Sequence, residues 1–219
     1  MRGGVMPKQH NGADDPNAAG YSVRRPGESA REKQNALAKA APIKTFFTRL
    51  FGMHTDERAW GRGAEGEERV GRLLEPLRAQ GWFIQHDVRI GQNGANVDHL
   101  VIGPPGVYVI NTKFLRQNVW VAGNVIKVGG SNKDYVRKGE AEAKRVREKL
   151  LAATRLRSLW VQSLLVFVDA ELVVREPPRN VPVLGDHELV TALLAQEVTL
   201  GRDEVMALAR AAQQMATWG

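Results

Sequence analysis

The 219-residue chain carries 31 Lys plus Arg against 24 Asp plus Glu, a formal net charge of +7, and no cysteine. Its length holds one domain plus a tail or two small domains rather than a large multidomain machine. The missing thiols exclude disulfides, thiolate zinc, iron–sulfur clusters and a cysteine nucleophile, and the basic balance favours a polyanionic partner, nucleic acid or an anionic membrane surface.

Residues 1–32 mix Gly, Pro, Asn, Asp and Arg with scattered apolar positions, too little apolar surface to offset the entropy of ordering. A disordered tail is expected there. Glu32 to Ala41 are good helix formers and Pro42 interrupts them. Ile43 to Phe51 then reads as a short basic amphipathic turn, with Phe46, Phe47, Leu50 and Phe51 between Lys44 and Arg49. It is first a helix docked on the domain or a partly ordered linker, and second a weak membrane-surface or nucleic-acid contact through residues 43–51. The tail through Trp60 holds a net +4 and leaves +3 for the rest. The division expected is a basic tail over 1–60 and one α/β domain over 61–219. No apolar run approaches the roughly 20 residues that span a bilayer, and residues 1–20 lack the apolar stretch of a secretory signal. A cytoplasmic location is expected.

The domain opens on a helix whose buried stripe is Val70, Leu73, Leu74 and Leu77, with Pro76 marking a kink or early end. Strands follow over Trp82 to Ile90, Val97 to Ile102, Val107 to Lys113, Val119 to Ala122 and Val125 to Val128. Gly123–Asn124 suits a two-residue hairpin turn, because both residues tolerate positive φ. A second helix spans about Tyr135 to Ala153, with Ala143, Val146, Leu150 and Ala153 on one face. Trp160 to Asp169 is the nearly continuous apolar strand of a sheet covered on both faces. A short strand near Val181 to Leu184 and helices over His187 to Ala195 and Asp203 to Met215 complete the chain, with Asp203 as the expected N-cap. The order predicts an α/β fold, a mixed central sheet flanked by helices. Trp82, Trp120 and Trp160 are expected in its core.

One polar constellation stands out. If Ile102 pairs with Val107 across the loop Gly103-Pro104-Pro105-Gly106, Asp98 faces Asn111 and Lys113 becomes its diagonal neighbour. Asp98, Asn111 and Lys113 then form one patch at the end of an otherwise apolar face, where isolated charge is expensive. On the first helix, at 100° per residue, Glu67 lies about 70° from the centre of the buried stripe, whereas Glu65, Glu68 and Glu75 lie about 130° or more away. Glu67 is therefore the acid of that helix that points toward the sheet. Glu67, Asp98 and the Asn111 oxygen are hard ligands suited to Mg²⁺ or Mn²⁺. The chemistry expected of this set is hydrolysis at a phosphate, with Lys113 orienting water or stabilising charge. A simple cross-strand ion pair between Asp98 and Lys113 is the bland alternative.

These residues resemble a known family. The run GAEGEERVGRLL (63–74), then HDVRIG (86–91), NVDHLVIGPPGVYVINTK (96–113) and the helix beginning near Tyr135 are similar to the nuclease-related domain of the PD-(D/E)xK endonuclease-like superfamily, over roughly Gly61 to Asp169. The resemblance implies a restriction-endonuclease-like α/β core and Mg²⁺-dependent cleavage of DNA. It places Glu67 as the first-helix acid, Asp98 as the metal-binding aspartate and Lys113 as the motif lysine. Val97 stands where the superfamily name has proline, and Asn111 stands where the acidic member is expected. An amide oxygen brings no charge, so metal affinity falls. Three readings follow: a working nuclease with a weaker site, a nuclease using another acid, and a catalytically degenerate nucleic-acid-binding or DNA-processing accessory module.

Other signals carry less. Gly61-x-Gly63-x-x-Gly66 matches a dinucleotide fingerprint as a string, but no strand precedes it, and the glycines read better as a close approach of helix to sheet. The five histidines lack ligand spacing, and His99 faces away from Asp98 on its strand. The basic face of the second helix, with Arg137, Lys138, Lys144 and Arg145, would suit phosphate contacts without base reading.

Overall fold

The computed structural model describes residues 24–39, 57–91 and 95–219. The segment 43–51, read above as a membrane or nucleic-acid contact, lies outside the described residues. Six α-helices are described: α1 (Glu28–Lys39), α2 (Glu57–Leu74), α3 (Tyr135–Ala153), α4 (Leu189–Leu194), α5 (Arg202–Gln213) and α6 (Met215–Trp218). Nine strands accompany them: β1 (Phe83–Arg89), β2 (Asn96–Gly103), β3 (Gly106–Phe114), β4 (Asn118–Ala122), β5 (Val125–Val128), β6 (Ser131–Lys133), β7 (Val161–Val168), β8 (Glu171–Glu176) and β9 (Val183–Gly185). Among the described residues no helix is long and apolar enough to cross a membrane.

The central sheet has the order β1-β2-β3-β7-β9. Its first three strands form an antiparallel meander, and β7 and β9 join in parallel. In the β2–β3 hairpin Ile102 pairs with Val107 and His99 with Ile110, the register expected from the four-residue loop. Alternation then divides the side chains of the hairpin between two cores. On one face Leu100, Ile102, Val107 and Val109 pack with Ala143, Val146 and Leu150 of α3 and Leu208 and Ala212 of α5. On the other Val101, Tyr108 and Ile110 pack with Val70 and Leu74 of α2. The apolar run of β7 follows from this double cover, since Leu164, Val166 and Val168 join the α2 side while Leu165 and Phe167 join a third cluster.

That third cluster belongs to a second sheet, order β6-β5-β4-β8, which the sequence patterns did not separate from the first. Strand β8 was missed because its residues are exposed or half-buried and its ends are charged, so no apolar alternation marks it. It forms because β4 and β8, which leave the central sheet from the parallel neighbours β3 and β7, remain side by side and pair in parallel. Trp120 and Trp160 are corrections to the expected core, with relative exposures of 38 % and 64 %. Trp120 lies across from Lys127 on the outer side of the second sheet, the Lys127 ammonium 5.4 Å from its ring centroid. Trp82 is buried as expected.

One helix end settles an alternative left open above, and two others differ from expectation. Helix α2 stops at Leu74, and Pro76 sits at the start of a 3₁₀ segment, Glu75–Gln80, so the proline ends the α-helix rather than kinking it. Helix α5 is capped at Gly201, whose N–H is accepted by the Glu204 carboxylate at 2.8 Å; Asp203 lies inside the first turn. Residues 24–32, expected in the disordered tail, begin a helix docked on the domain, with Ser29 and Ala30 buried.

The glycines of the GxGxxG string all lie within α2. A Cβ on Gly66 would come within 2.7 Å of the Phe114 Cβ, so glycine lets α2 approach β3 closely. Gly66→Ala is expected to destabilise the protein by about 1–2 kcal/mol, because overpacking outweighs the gain in helix propensity. Urea denaturation measures it; a more stable variant would contradict the close approach.

Candidate active site

The site is built at the end of the β2–β3 hairpin away from its loop. Asp98 and Asn111 each follow directly on the His99–Ile110 pair, where the β2–β3 ladder ends, and each is 8 % exposed. Asp98 accepts the Thr112 N–H at 2.6 Å, and Lys113 donates from Nζ to the Thr112 carbonyl at 2.9 Å. The Lys113 ammonium lies 5.7 Å from the ring centroid of Tyr135, the first residue of α3. Burial pushes the Asp98 carboxyl up from its ordinary range, and Lys113 and the Thr112 N–H oppose the rise. Asp98 and Lys113 are thus neighbours by charge as well as by register, as the hairpin predicted.

Glu67 turns toward this patch from α2 and is 9 % exposed. Its Oε2 is buried without a hydrogen-bond partner. Burial first, and then the Asp98 charge, push its pKa up to about 9, against the opposing pull of Lys113 and a Gly27 N–H bond. Near neutral pH Glu67 therefore holds a proton.

Asn111 does not turn its amide nitrogen toward Asp98. It donates from Nδ2 to Glu142 Oε2 at 2.6 Å, a bond from β3 to α3. Glu142 is half-buried, and burial raises its pKa, with Asp98 raising it further and Lys113 and Lys138 opposing. Sequence reasoning missed this residue. Taking 100° per residue, Glu142 lies about 80° from the centre of the α3 stripe Val136, Gly139, Ala143, Val146 and Leu150, and Glu140 lies about as far on the other side. The wheel leaves two equal candidates. The fold separates them, since Glu140 bonds Asn180 instead.

The four basic residues expected to touch nucleic acid divide the same way. Lys138 faces the Glu142 side of α3, one turn earlier, and Arg145 lies on that side one turn later, both exposed. Arg137, which pairs with Asp134 at the helix start, and Lys144, 4.0 Å from Glu148, lie on the Glu140 side of α3 instead. Behind Asp98, on the α2 side of the sheet, the buried His99 and His86 rings meet at Nδ1···Nδ1 2.8 Å, and His86 Nε2 reaches Glu75 at 2.9 Å. Burial lowers both pKa values, which keeps the pair neutral and structural. A cleft of about 610 Å³ by Arg69, Asp169 and Asp186 contains none of the site residues.

A segment outside the domain expected from sequence also reaches the site. Pro26 and Gly27 pack on α2, where a Cβ on Gly27 would sit 2.9 Å from the Ala64 backbone. Besides the Gly27 bond to Glu67, the charge of Lys33 in α1 acts on Asp98. The anchor of this arm is Asp87, which accepts the Ser29 N–H, the Ser29 hydroxyl and the Arg24 guanidinium at 2.7, 2.6 and 2.9 Å.

Among the described residues no three His, Asp or Glu side chains are gathered tightly enough to hold a metal ion as they stand. The donor chemistry nevertheless fits a hard cation. Three carboxyl groups feel the charge of one ammonium, all three are pushed upward by burial, and one buried carboxyl oxygen lacks any partner.

Residues 62–168 match the family described as the nuclease-related domain. The match spans Glu67, Asp98, Asn111, Lys113 and Glu142 and ends on the last residue of β7. Residues 62–168 form a nuclease-related domain. The fold is the expected α/β arrangement, a mixed sheet flanked by helices. No curated protein matches the chain. Among solved structures, SfsA from Pyrococcus furiosus in complex with Ca²⁺ is similar at 16 % identity and a TM-score of 0.23, over 69 % of this chain and 53 % of that one. The chain therefore spans about half the length of that protein, and a likeness this distant decides nothing about function. The arm from Arg24 to Lys39 and everything after Val168 lie outside the matched nuclease-related domain.

Proposed function

We propose that the nuclease-related domain hydrolyses phosphodiester bonds in DNA with the help of Mg²⁺ or Mn²⁺ held by Glu67 and Asp98, with Asn111 beside them. The observation that carries this reading is the buried Oε2 of Glu67, which has no hydrogen-bond partner beside Asp98, in a pocket where burial pushes both carboxyl groups upward. A divalent cation there supplies neutralisation of the phosphate charge and Lewis acidity. Asp98 is held for that task by the Thr112 N–H, and Lys113 by the Thr112 carbonyl, so the backbone of one residue fixes both groups. Lys113 stabilises negative charge on the phosphate as it develops. Lys138 and Arg145 extend the positive potential along α3 and contact the backbone of the nucleic acid without reading bases.

The test uses plasmid and linear DNA with Mg²⁺ or Mn²⁺, with a chelator control. Asp98→Ala and Lys113→Ala are each expected to lower the cleavage rate by about 10²–10³-fold. No cleavage by the wild type, or equal cleavage by the variants, overturns the catalytic reading. A second reading, a degenerate nucleic-acid-binding module, draws on the absence of a gathered metal cluster among the described residues and on Asn111 in the acidic position. It predicts salt-sensitive DNA binding that survives Asp98→Ala, with no saturable metal site.

A further inference from the structure

Position 111 needs an account of its own. If the acid expected there had simply been lost, the neutral Asn111 would be free to turn toward Asp98. Instead its amide nitrogen is committed to a carboxylate from another element, Glu142 Oε2 at 2.6 Å. An aspartate at 111 would set two carboxylates at that separation, a pairing that holds together only by sharing a proton. Asparagine is the residue that lets a carboxylate approach from α3, because it offers two donors. The two positions therefore complement each other. Glu142 also feels the charges of Asp98 and Lys113, so it belongs to the same cluster rather than to the helix surface.

A cluster of acids alone would not identify a ligand. Here a second observation does, since Glu67 is more than nine-tenths buried and its Oε2 has no partner. Glu67 comes from α2, Asp98 from β2 and Glu142 from α3, so the cluster is enclosed from the helix layers on both faces of the sheet. We propose that Glu142 is the third carboxylate of the cation site, taking over from α3 the place that an acid at 111 would fill, with Asn111 as its positioning residue. The inference rests on the cation-dependent reading above and adds a ligand to it. Asn111 engages only Oε2 of Glu142, so Oε1 would remain to hold the cation. The second reading of the sequence, a nuclease using another acid, thereby receives a named residue.

The experiment measures Mn²⁺ binding by titration calorimetry on the full chain, alongside DNA cleavage, for the wild type, Glu142→Gln and the double variant Asn111→Asp/Glu142→Gln. Gln keeps the length of Glu142 and still accepts from Asn111, so the single variant retains the link between sheet and helix. Glu142→Gln is expected to weaken Mn²⁺ at least tenfold. The double variant moves the charge back to β3 and is expected to recover Mn²⁺ affinity to within a few-fold of the wild type, with cleavage rising in step. Mn²⁺ affinity unchanged in Glu142→Gln overturns the role of Glu142 alone, and so does a double variant no better than the single one. If Glu142→Gln is too unstable to titrate, the double variant decides by itself, and failure to bind Mn²⁺ counts against the proposal. A wild-type chain that binds no Mn²⁺ overturns the cation site as a whole.

Discussion

Glu67→Gln is expected to raise the stability of the cation-free protein by about 3 kcal/mol at pH 7 while removing its response to Mn²⁺. Burial, and then the Asp98 charge, lift the Glu67 pKa from 4.5 to about 9. Below pH 4.5 the group is protonated in both the folded and the unfolded chain, so variant and wild type should be equally stable. Between pH 4.5 and 9 the unfolded chain ionises while the folded one stays protonated, and each pH unit then costs about 1.4 kcal/mol. At pH 7 that amounts to about 3 kcal/mol, and above pH 9 the penalty stops growing. A neutral glutamine carries none of it. Urea denaturation in chelator at pH 4, 7 and 9 measures the effect, and curves that coincide at pH 7 would contradict the buried acid. Mn²⁺ should reverse the order, raising the melting temperature of the wild type alone, because a cation lets Glu67 ionise and releases its proton. A residue that costs stability unless a cation arrives is the pattern expected of a binding site rather than of a structural ion pair.

Asp87→Ala is expected to destabilise the protein by about 3–5 kcal/mol and to release the arm over residues 24–33. Asp87 is fully buried in a left-handed conformation at φ 51°. Burial alone would raise its pKa, but hydrogen bonds from Ser29, Arg24 and Asn96 outweigh that and hold it below the ordinary carboxylate range. Removing the carboxylate leaves the Ser29 N–H, the Arg24 guanidinium and the Asn96 amide, 3.0 Å from Oδ1, without their acceptor. Since the folded pKa is depressed, this stabilisation is complete above pH 3.8 and is lost as pH falls through the folded value. Hydrogen exchange or limited proteolysis across residues 24–33 should show the release directly; unchanged protection would contradict the anchor. The site should feel it too. With the arm free, Glu67 loses the Gly27 N–H and Asp98 loses the charge of Lys33. Arg31, which pairs with Glu68, and Arg89, which pairs with Glu32, are exposed and add little to the anchoring.

The arm shows how far composition can mislead. Residues 24–32 look like tail because Arg24, Arg25, Pro26, Gly27 and Glu28 supply almost no apolar surface. They are nonetheless ordered by polar bonds to a single buried acid, and hydropathy does not register such bonds. The +7 charge was informative only in part for a similar reason. Of the four basic residues singled out on α3, two lie on the Glu140 side of the helix and pair there with Asp134 and Glu148.

What the sequence determined by itself was the local half of the site. Strand alternation and the tight turn at Pro104–Pro105, between the paired Gly103 and Gly106, set the β2–β3 register, and that register brings Asp98, Asn111 and Lys113 together from residues only fifteen apart in the chain. Helical periodicity turned Glu67 toward the sheet for the same reason, since period and neighbour distance are properties of one element or of two adjacent ones. What the tertiary structure alone decided was every partnership across long separations: β4 with β8, Asp87 with Ser29, and Asn111 with Glu142. Glu140 and Glu142 are equivalent on the helical wheel, and only the placement of α3 against β3 chooses between them. An element's periodicity states which side of it is apolar, but the acids at the border of that side take their roles from whichever strand lies beneath.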